Sequence, residues 1–97
     1  MEDKILVFIP AYNCQNQITR VLDQQTPAIK KYITETIVIN NRSTDNTEQV
    51  VKEWIAVHPG SRVTLLRNDE NYGLGGSHKV AFRYAKANGY DYVVVLH

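Results

Sequence analysis

The chain has 97 residues, of which 43% are apolar, and its 11 basic and 10 acidic side chains give a formal net charge of +1. This length and composition fit one small soluble domain or one part of a larger one. Because charges of both signs are interspersed, the chain lacks the basic stripe of a nucleic-acid-binding protein and the polybasic run of a membrane-surface protein. We therefore expect no nucleic-acid partner.

The amino-terminal residues and the cysteine content indicate the cellular compartment. The start Met-Glu-Asp-Lys lacks the basic-then-apolar pattern of a signal peptide, and no apolar run approaches the roughly 20 residues of a membrane helix. The single Cys14 cannot form an internal disulfide, which fits a reducing compartment. We expect a cytoplasmic protein, and we do not expect Cys14 to be a nucleophile.

The first half of the chain predicts a strand, a helix and a second strand. Residues 4–9 (KILVFI) form a continuous apolar run, which is typical of a strand buried on both faces. The apolar spacing of residues 18–22 fits one face of a helix, with Asn16 as its candidate cap. Residues 37–39 (IVI) then form the second strand.

The second half repeats this alternation. Asp45 and Glu48 form a capping-box pattern, and the apolar spacing of residues 50–55 predicts a second helix that ends near residues 58–60 (HPG). Residues 63–66 and 92–96 read as the third and fourth strands.

A glycine-rich loop, residues 68–76 (NDENYGLGG), is expected between the third strand and a third helix. That helix should carry its apolar face on Val80, Ala81, Tyr84 and Ala85, and it should stop near residues 88–89 (NG).

This order of elements predicts the α/β fold class. We expect a Rossmann-like β-α-β-α-β-α-β three-layer sandwich with a parallel four-stranded sheet in the order 3-2-1-4. The first strand should be central, helices should cover both faces, and Trp54 and Tyr84 should lie in the core.

Polar and glycine residues cluster where the predicted strands end. In an open parallel sheet, ligands bind beyond the carboxyl ends of the strands, because the loops there open away from each other. The residues at these ends are Pro10, Ala11, Tyr12 and Asn13, then Asn40 and Asn41, then Gly73, Gly75 and Gly76, and finally His97. We expect a ligand site at this edge.

Four motifs carry a family resemblance: "IPAYN", "VINNRSTDNT", "NYGLGG" and "GYDYVVVL". In this order and spacing they resemble the N-terminal half of the family 2 inverting glycosyltransferases of the GT-A fold, particularly the dolichyl-phosphate-mannose-synthase-like group. The resemblance implies that residues 1–97 are the nucleotide-sugar-binding N-terminal part of a GT-A domain whose remainder is absent. It also implies that the longer protein transfers a sugar with inversion from a nucleotide-diphosphate-sugar donor.

The same resemblance implies roles for the strand-end residues. Pro10, Ala11, Tyr12 and Asn13 would lie along the base and ribose of the donor, and Asn40 and Asn41 would contact the base. Gly73, Gly75 and Gly76 would allow the third helix to approach the donor pocket closely.

A divalent metal, Mg²⁺ or Mn²⁺, is implied as well, held in the family by an Asp-x-Asp motif directly after the fourth strand. This chain carries no such pair there. Either His97 occupies the first aspartate position, or the motif begins beyond it. We therefore expect the metal in a longer protein, with His97 as the one candidate ligand here, and no catalytic residue within this chain. The chain alone is expected to be inactive.

Four positions depart from the family pattern, namely Asn40 and Asn41 in place of two aspartates, Arg42 in place of glycine, and Cys14 in place of an acidic residue. A neutral amide suits the single ring N–H of uracil better than the adjacent donors of guanine, which weakly favours a UDP-sugar. Two alternatives stay open. In the first, Asn40 and Asn41 have no ligand role and serve to cap a helix or to hold a left-handed turn. In the second, the chain is a non-catalytic nucleotide-binding or interaction domain.

The remaining partners are less defined by the sequence. The acceptor is not identified, and a lipid phosphate and a glycan both remain open. A peripheral membrane location is open for the longer protein. An exposed fourth-strand edge would also allow self-association through apolar surface.

Overall fold

The computed structural model describes residues 3–24, 31–69 and 73–96. Four strands alternate with three helices along these residues. The elements are β1 (Ile5–Ala11), α1 (Ile18–Asp23), β2 (Glu35–Asn40), α2 (Thr47–Val57), β3 (Val63–Arg67), α3 (Gly73–Ala87) and β4 (Tyr92–Val95).

The strands form one sheet in the order β3-β2-β1-β4, and every pairing in it is parallel. Phe8 of β1 pairs with Ile37 of β2 on one side and with Val95 of β4 on the other. The predicted fold class, strand order and central first strand are therefore confirmed.

Two apolar cores lie on opposite faces of this sheet, because successive side chains of a strand point to opposite sides. One core packs Val7 and Ile9 of β1 against α1 and α2, where Trp54 is buried as predicted. The other packs Leu6 and Phe8 against α3. Burial on both faces explains why β1 reads as a continuous apolar run rather than an alternating one.

The helix ends agree with the sequence more closely at their carboxyl than at their amino termini. α2 ends at the cap residue His58, followed by Gly60 at φ +84°, and α3 ends just before Gly89 at φ +71°. The predicted cap at Asn16 is wrong, because Gln17 occupies that position and makes no side-chain cap bond.

The predicted capping box at α2 is also wrong. Asn46 is the cap residue, with no side-chain cap bond, and Asp45 instead accepts from the backbone N–H of Thr47 at 2.9 Å. The carboxylate of Glu48 lies 3.5 Å from Lys52 Nζ and 3.6 Å from Arg67 Nη1. Glu48 therefore pairs with neighbouring cations on the surface.

The expected glycine loop needs a further correction. α3 already begins at Gly73, so Gly73, Gly75 and Gly76 lie in its first turn. Glycine is a poor helix former, and packing of the following residues decides this start, since Ser77 is buried and Ala81 belongs to the core. Residues 70–72 of the expected loop lie outside the described residues.

A hydroxyl cluster joins three elements at the amino edge of the sheet. The carboxylate of Glu35 accepts hydrogen bonds from the hydroxyls of Tyr84 at 2.8 Å, Tyr90 at 2.6 Å and Thr64 at 2.8 Å. Burial raises the pKa of Glu35, but these bonds outweigh it and hold the pKa below its ordinary value of 4.5. Tyr84 thus spans from the core, which packs against its ring, to this cluster.

None of the helices in the described ranges is both long and apolar enough to cross a bilayer.

Candidate functional site

The loops that follow β1 and β2 are bonded to each other at the carboxyl edge of the sheet. The Asn13 side-chain oxygen accepts from the backbone N–H of Thr44 at 2.7 Å, and the Asn13 N–H donates to the Ser43 hydroxyl at 3.0 Å. The Asn46 N–H donates to the Gln15 side-chain oxygen at 2.8 Å. Residues 12–15 and 41–47 therefore form one hydrogen-bonded unit, which we call the two-loop tip.

Asp45 organises this two-loop tip. One carboxylate oxygen accepts from both the N–H and the hydroxyl of Thr47, and the other accepts from the N–H of Gln15 at 3.3 Å. Hydrogen bonds from Thr47, the largest effect, hold the pKa of Asp45 below its ordinary value. The Thr47 hydroxyl in turn accepts from the N–H of Cys14 at 2.9 Å. Asp45 is thus a structural anchor of the tip, and not the helix cap that the sequence predicted.

Asn40 closes the turn at the end of β2. Its side-chain oxygen accepts from the N–H of Ser43 at 3.0 Å and from the Ser43 hydroxyl at 2.6 Å, and the residue is only 3% exposed. Arg42 and Asn13 adopt the left-handed backbone conformation, with φ angles of +60° and +48°. Asn40 therefore supports the turn without adopting the left-handed conformation itself, and its direct contact with a nucleotide stays a prediction.

Asn41 sits between three elements. It is 6% exposed, and its backbone N–H donates to the carbonyl of Ala11 at 2.9 Å. Its side-chain oxygen accepts from the amide nitrogen of Asn68, just beyond β3, at 2.8 Å. Asn68 Nδ2 also donates to the hydroxyl of Ser77 in α3 at 3.1 Å. The ends of β1, β2 and β3 and the second turn of α3 thus meet at Asn41.

Sequence reasoning missed Asn68 and Ser77. Both are buried polar residues, 5% and 1% exposed, and buried polar side chains need partners. A polar residue placed directly after the third strand, as asparagines follow the second, was the available signal for Asn68. No sequence pattern pointed to Ser77.

The other predicted site residues differ in accessibility. Pro10 and Ala11 belong to β1 and pair with Ile39 and Asn40, and Ala11 is 2% exposed. Tyr12 is 51% exposed at the end of β1, so its ring is available to a ligand. A Cβ placed on Gly75 would meet nothing within 4 Å, so open space lies beside the first turn of α3.

A polar cleft of about 360 Å³ borders the two-loop tip on the side of β3. Arg42 and Arg67 line it together with Glu48 and Asp45. Since acids and bases alternate around it and Arg67 is paired with Glu48, the cleft offers no concentrated charge for a ligand.

Among the described residues of this edge, we find neither a metal centre nor a reactive thiol. Within residues 3–24, 31–69 and 73–96, no three His, Cys, Asp or Glu side chains converge as metal ligands do. These residues do not fit the expected divalent metal, and His97 lies outside the described residues. Burial raises the pKa of the Cys14 thiol, which makes it a poorer nucleophile.

A parallel sheet with polar loops bonded to each other beyond its carboxyl ends is typical of the class of α/β domains that bind ligands at that edge. The chain belongs to glycosyl transferase family 2, whose family model matches residues 6–97. A dolichyl-phosphate β-glucosyltransferase from Dictyostelium discoideum is 32% identical over 80 residues, which cover 75% of this chain and 24% of that protein.

Solved structures of GT-A glycosyltransferases share the fold. The mannosyltransferase PcManGT from Pyrobaculum calidifontis, in complex with GDP-Man and Mn²⁺, superposes with a TM-score of 0.76 at 28% identity, covering 88% of this chain and 25% of that one. TarS from S. aureus, in complex with UDP, gives a TM-score of 0.75 at 25% identity, covering 95% and 26%. The chain therefore spans about a quarter of the length of these relatives.

Proposed function

We propose that this chain is the donor-nucleotide-binding part of an inverting glycosyltransferase that uses a nucleotide-diphosphate sugar. The observation that carries the proposal is the two-loop tip, with Asn41 at its centre, at the carboxyl edge of a family 2 chain. Relatives solved with GDP-Man and with UDP support a nucleotide as the ligand.

The base is proposed to lie between Tyr12 and Asn41. The exposed ring of Tyr12 offers a flat wall for stacking. The side-chain oxygen of Asn41, which accepts a hydrogen bond from Asn68, is proposed to accept the ring N–H of the base as well. Asn40 and Asn13 hold the two-loop tip, and Gly73, Gly75 and Gly76 leave room beside it for the rest of the donor.

The proposed donor is a uridine rather than a guanosine diphosphate sugar. Uracil presents one ring N–H between two carbonyls, whereas guanine presents two adjacent donors that suit a carboxylate. One neutral amide oxygen matches uracil. Replacing Asn41 by Asp keeps an acceptor for Asn68 and makes it charged, so we expect Asn41→Asp to strengthen uridine diphosphate binding by about 1 kcal/mol.

The catalytic machinery is proposed to lie in a longer protein, together with a Mg²⁺ or Mn²⁺ ion like the Mn²⁺ in the complex of PcManGT. We favour a lipid phosphate as the acceptor, because one relative is a dolichyl-phosphate β-glucosyltransferase. A glycan is the alternative acceptor. A lipid-phosphate acceptor suits a cytoplasmic protein that lies peripherally at a membrane. Tyr92 and Val94, which are 57% and 48% exposed on β4, are proposed as surface for self-association of the chain alone.

Titration of UDP and GDP into the longer protein with Mg²⁺ present tests the donor proposal. Wild type should bind UDP more tightly, and Asn41→Ala should lose much of that affinity. Asn46→Ala is the matched control, since Asn46 is exposed in the same loop and makes no side-chain cap bond. Tighter binding of GDP than of UDP would contradict the proposed uridine donor. Unchanged UDP affinity in Asn41→Ala would show that Asn41 has a purely structural role.

A transfer assay tests whether catalysis needs the longer protein and not this chain alone. The 97-residue chain should hydrolyse or transfer no sugar, whereas the longer protein should turn over the donor. Nucleotide binding without turnover by the longer protein would instead support the non-catalytic alternative.

A further inference from the structure

The Asn40 amide is bonded at both of its ends by groups whose hydrogen-bonding roles are fixed. At one end, Oδ1 accepts from the backbone N–H of Ser43 at 3.0 Å and from the Ser43 hydroxyl at 2.6 Å. At the other end, Nδ2 donates to a carboxylate oxygen of Glu48 at 3.4 Å. A backbone N–H can only donate and an ionised carboxylate can only accept, so these partners leave the Asn40 amide one orientation.

This amide connects α2 and β3 to both loops of the two-loop tip. The Ser43 hydroxyl that donates to Asn40 also accepts from the backbone N–H of Asn13 at 3.0 Å. On the other side, the Glu48 carboxylate lies 3.6 Å from Arg67 Nη1 at the end of β3. A continuous path of polar contacts therefore runs from the end of β3 through Glu48 and Asn40 to the loop that follows β1.

From this geometry we infer that Glu48 is a positioning residue of the donor site, which acts by holding the amide of Asn40. The inference rests on the proposed function. The two proposed contacts of the base are Asn41, which directly follows Asn40, and Tyr12, which directly precedes the bonded Asn13. A change in the Asn40 amide would therefore displace both of them.

Glu48 also determines which side chain can stand at position 40. Asn40 is buried, and the side chain of Glu48 is only 28% exposed. Asn40→Asp would place a second carboxylate against that of Glu48, and two like charges that share a site repel each other. The donors of Ser43 would remain. A neutral amide is thus the side chain that satisfies both the donors on one side and the carboxylate on the other.

Asn40→Asp and Glu48→Gln form a double-mutant cycle. Asn40→Asp should lower the urea midpoint and weaken nucleotide binding. Glu48→Gln alone should change little, because an amide oxygen can still accept from Asn40 Nδ2. In the double variant, the amide at position 48 can turn its NH₂ towards the new carboxylate. Both the midpoint and the affinity should then recover.

The test is a titration of the ¹⁵N-labelled 97-residue chain with UMP, which avoids any need for a metal. Asn40→Asp should lower the UMP affinity at least about fivefold, the equivalent of one hydrogen bond. Adding Glu48→Gln should restore it to within about twofold of wild type. Glu48→Ala should weaken UMP binding as well, whereas Glu53→Ala, on the same helix, should leave it unchanged.

Asn46→Asp is the control for charge. It adds the same charge to the two-loop tip, and its side chain is exposed. Because side chains two positions apart do not face each other at a helix, the new carboxylate would not oppose that of Glu48. Any loss of UMP affinity in Asn46→Asp should therefore be smaller than in Asn40→Asp, and Glu48→Gln should not restore it.

The outcomes separate the two levels of the argument. A wild-type chain that does not bind UMP overturns the proposed function and this inference with it. UMP affinity that is unchanged in Asn40→Asp and Glu48→Ala overturns the inference alone. A loss in Asn40→Asp that Glu48→Gln does not restore also overturns it, since the two side chains would then act independently. Where Asn40→Asp does not fold, the UMP affinities of Glu48→Ala and of the double variant decide the matter.

Discussion

Replacing Glu35 by Gln should destabilise the fold far from the proposed site. The carboxylate accepts from three hydroxyls that belong to β3, α3 and the turn before β4. Hydrogen bonds to a charged group contribute about 1.5–3 kcal/mol and neutral ones about 1 kcal/mol. Three bonds that each lose about 1 kcal/mol, discounted for the partial exposure of Glu35, give an expected loss of about 2 kcal/mol.

Urea denaturation followed by circular dichroism measures this loss at pH 7. With a slope of about 1–1.5 kcal/mol per M for a chain of this size, the midpoint should fall by about 1.5 M. Glu53→Gln is the matched control, because Glu53 is exposed and, within the described part of the chain, accepts only from Gln49 one turn away. A Glu35→Gln midpoint no lower than that of Glu53→Gln would refute the assigned role of the cluster.

The same pair of proteins predicts a pH dependence. Because the pKa of Glu35 is lowered in the folded state, its contribution is fully present above the ordinary value of 4.5 and is lost as pH falls through the lowered pKa. The stability difference between wild type and Glu35→Gln should therefore be constant from pH 7 to pH 5 and should shrink below pH 4.5. A difference that grows on acidification would contradict the lowered pKa.

Three further substitutions test the tip, the helix start and the core. Asp45→Ala should lower the urea midpoint at pH 7, and this loss should shrink below the ordinary pKa of 3.8, because the bound carboxylate stabilises the fold only while ionised. Gly75→Ala should raise the free energy of unfolding by up to about 1 kcal/mol, since the methyl meets open space in a helix, yet weaken UDP binding; unchanged UDP affinity counts against a donor there. Trp54→Phe should cost about 2 kcal/mol, because the indole N–H donates to Asp23 at 2.9 Å; a loss under 0.5 kcal/mol, roughly that of a surface change, would assign the bond no weight.

The two central strands could be predicted because both of their faces are buried, and such strands are apolar at every position. Residues 5–9 and 37–39 are apolar throughout, and a right-handed crossover leaves few ways to arrange such strands. The start of α3 could not be predicted in the same way. Glycines in a first turn oppose helix formation locally, and the burial of Ser77 and Ala81 against other elements decides where the helix begins.

The candidate site was predictable as an edge of the sheet but not as a set of bonds. The asparagines after β2 were identified, yet their division into a turn-closing Asn40 and an Asn41 bonded to Asn68 depends on partners 3 and 27 positions away. The Glu35 cluster was missed for the same reason, since its hydroxyls lie 29, 49 and 55 positions along the chain. Only the folded topology brings these groups together.

The location of nucleotide binding tests the central claim most directly. UDP and Mg²⁺ should be titrated into the ¹⁵N-labelled chain, and the backbone amide shifts should be followed. The account predicts saturable shifts at the two-loop tip, at Asn68 and in the first turn of α3, with little change around Glu35 and Tyr90 at the opposite edge. Shifts confined to that opposite edge, or no saturable shift at the two-loop tip, would contradict it.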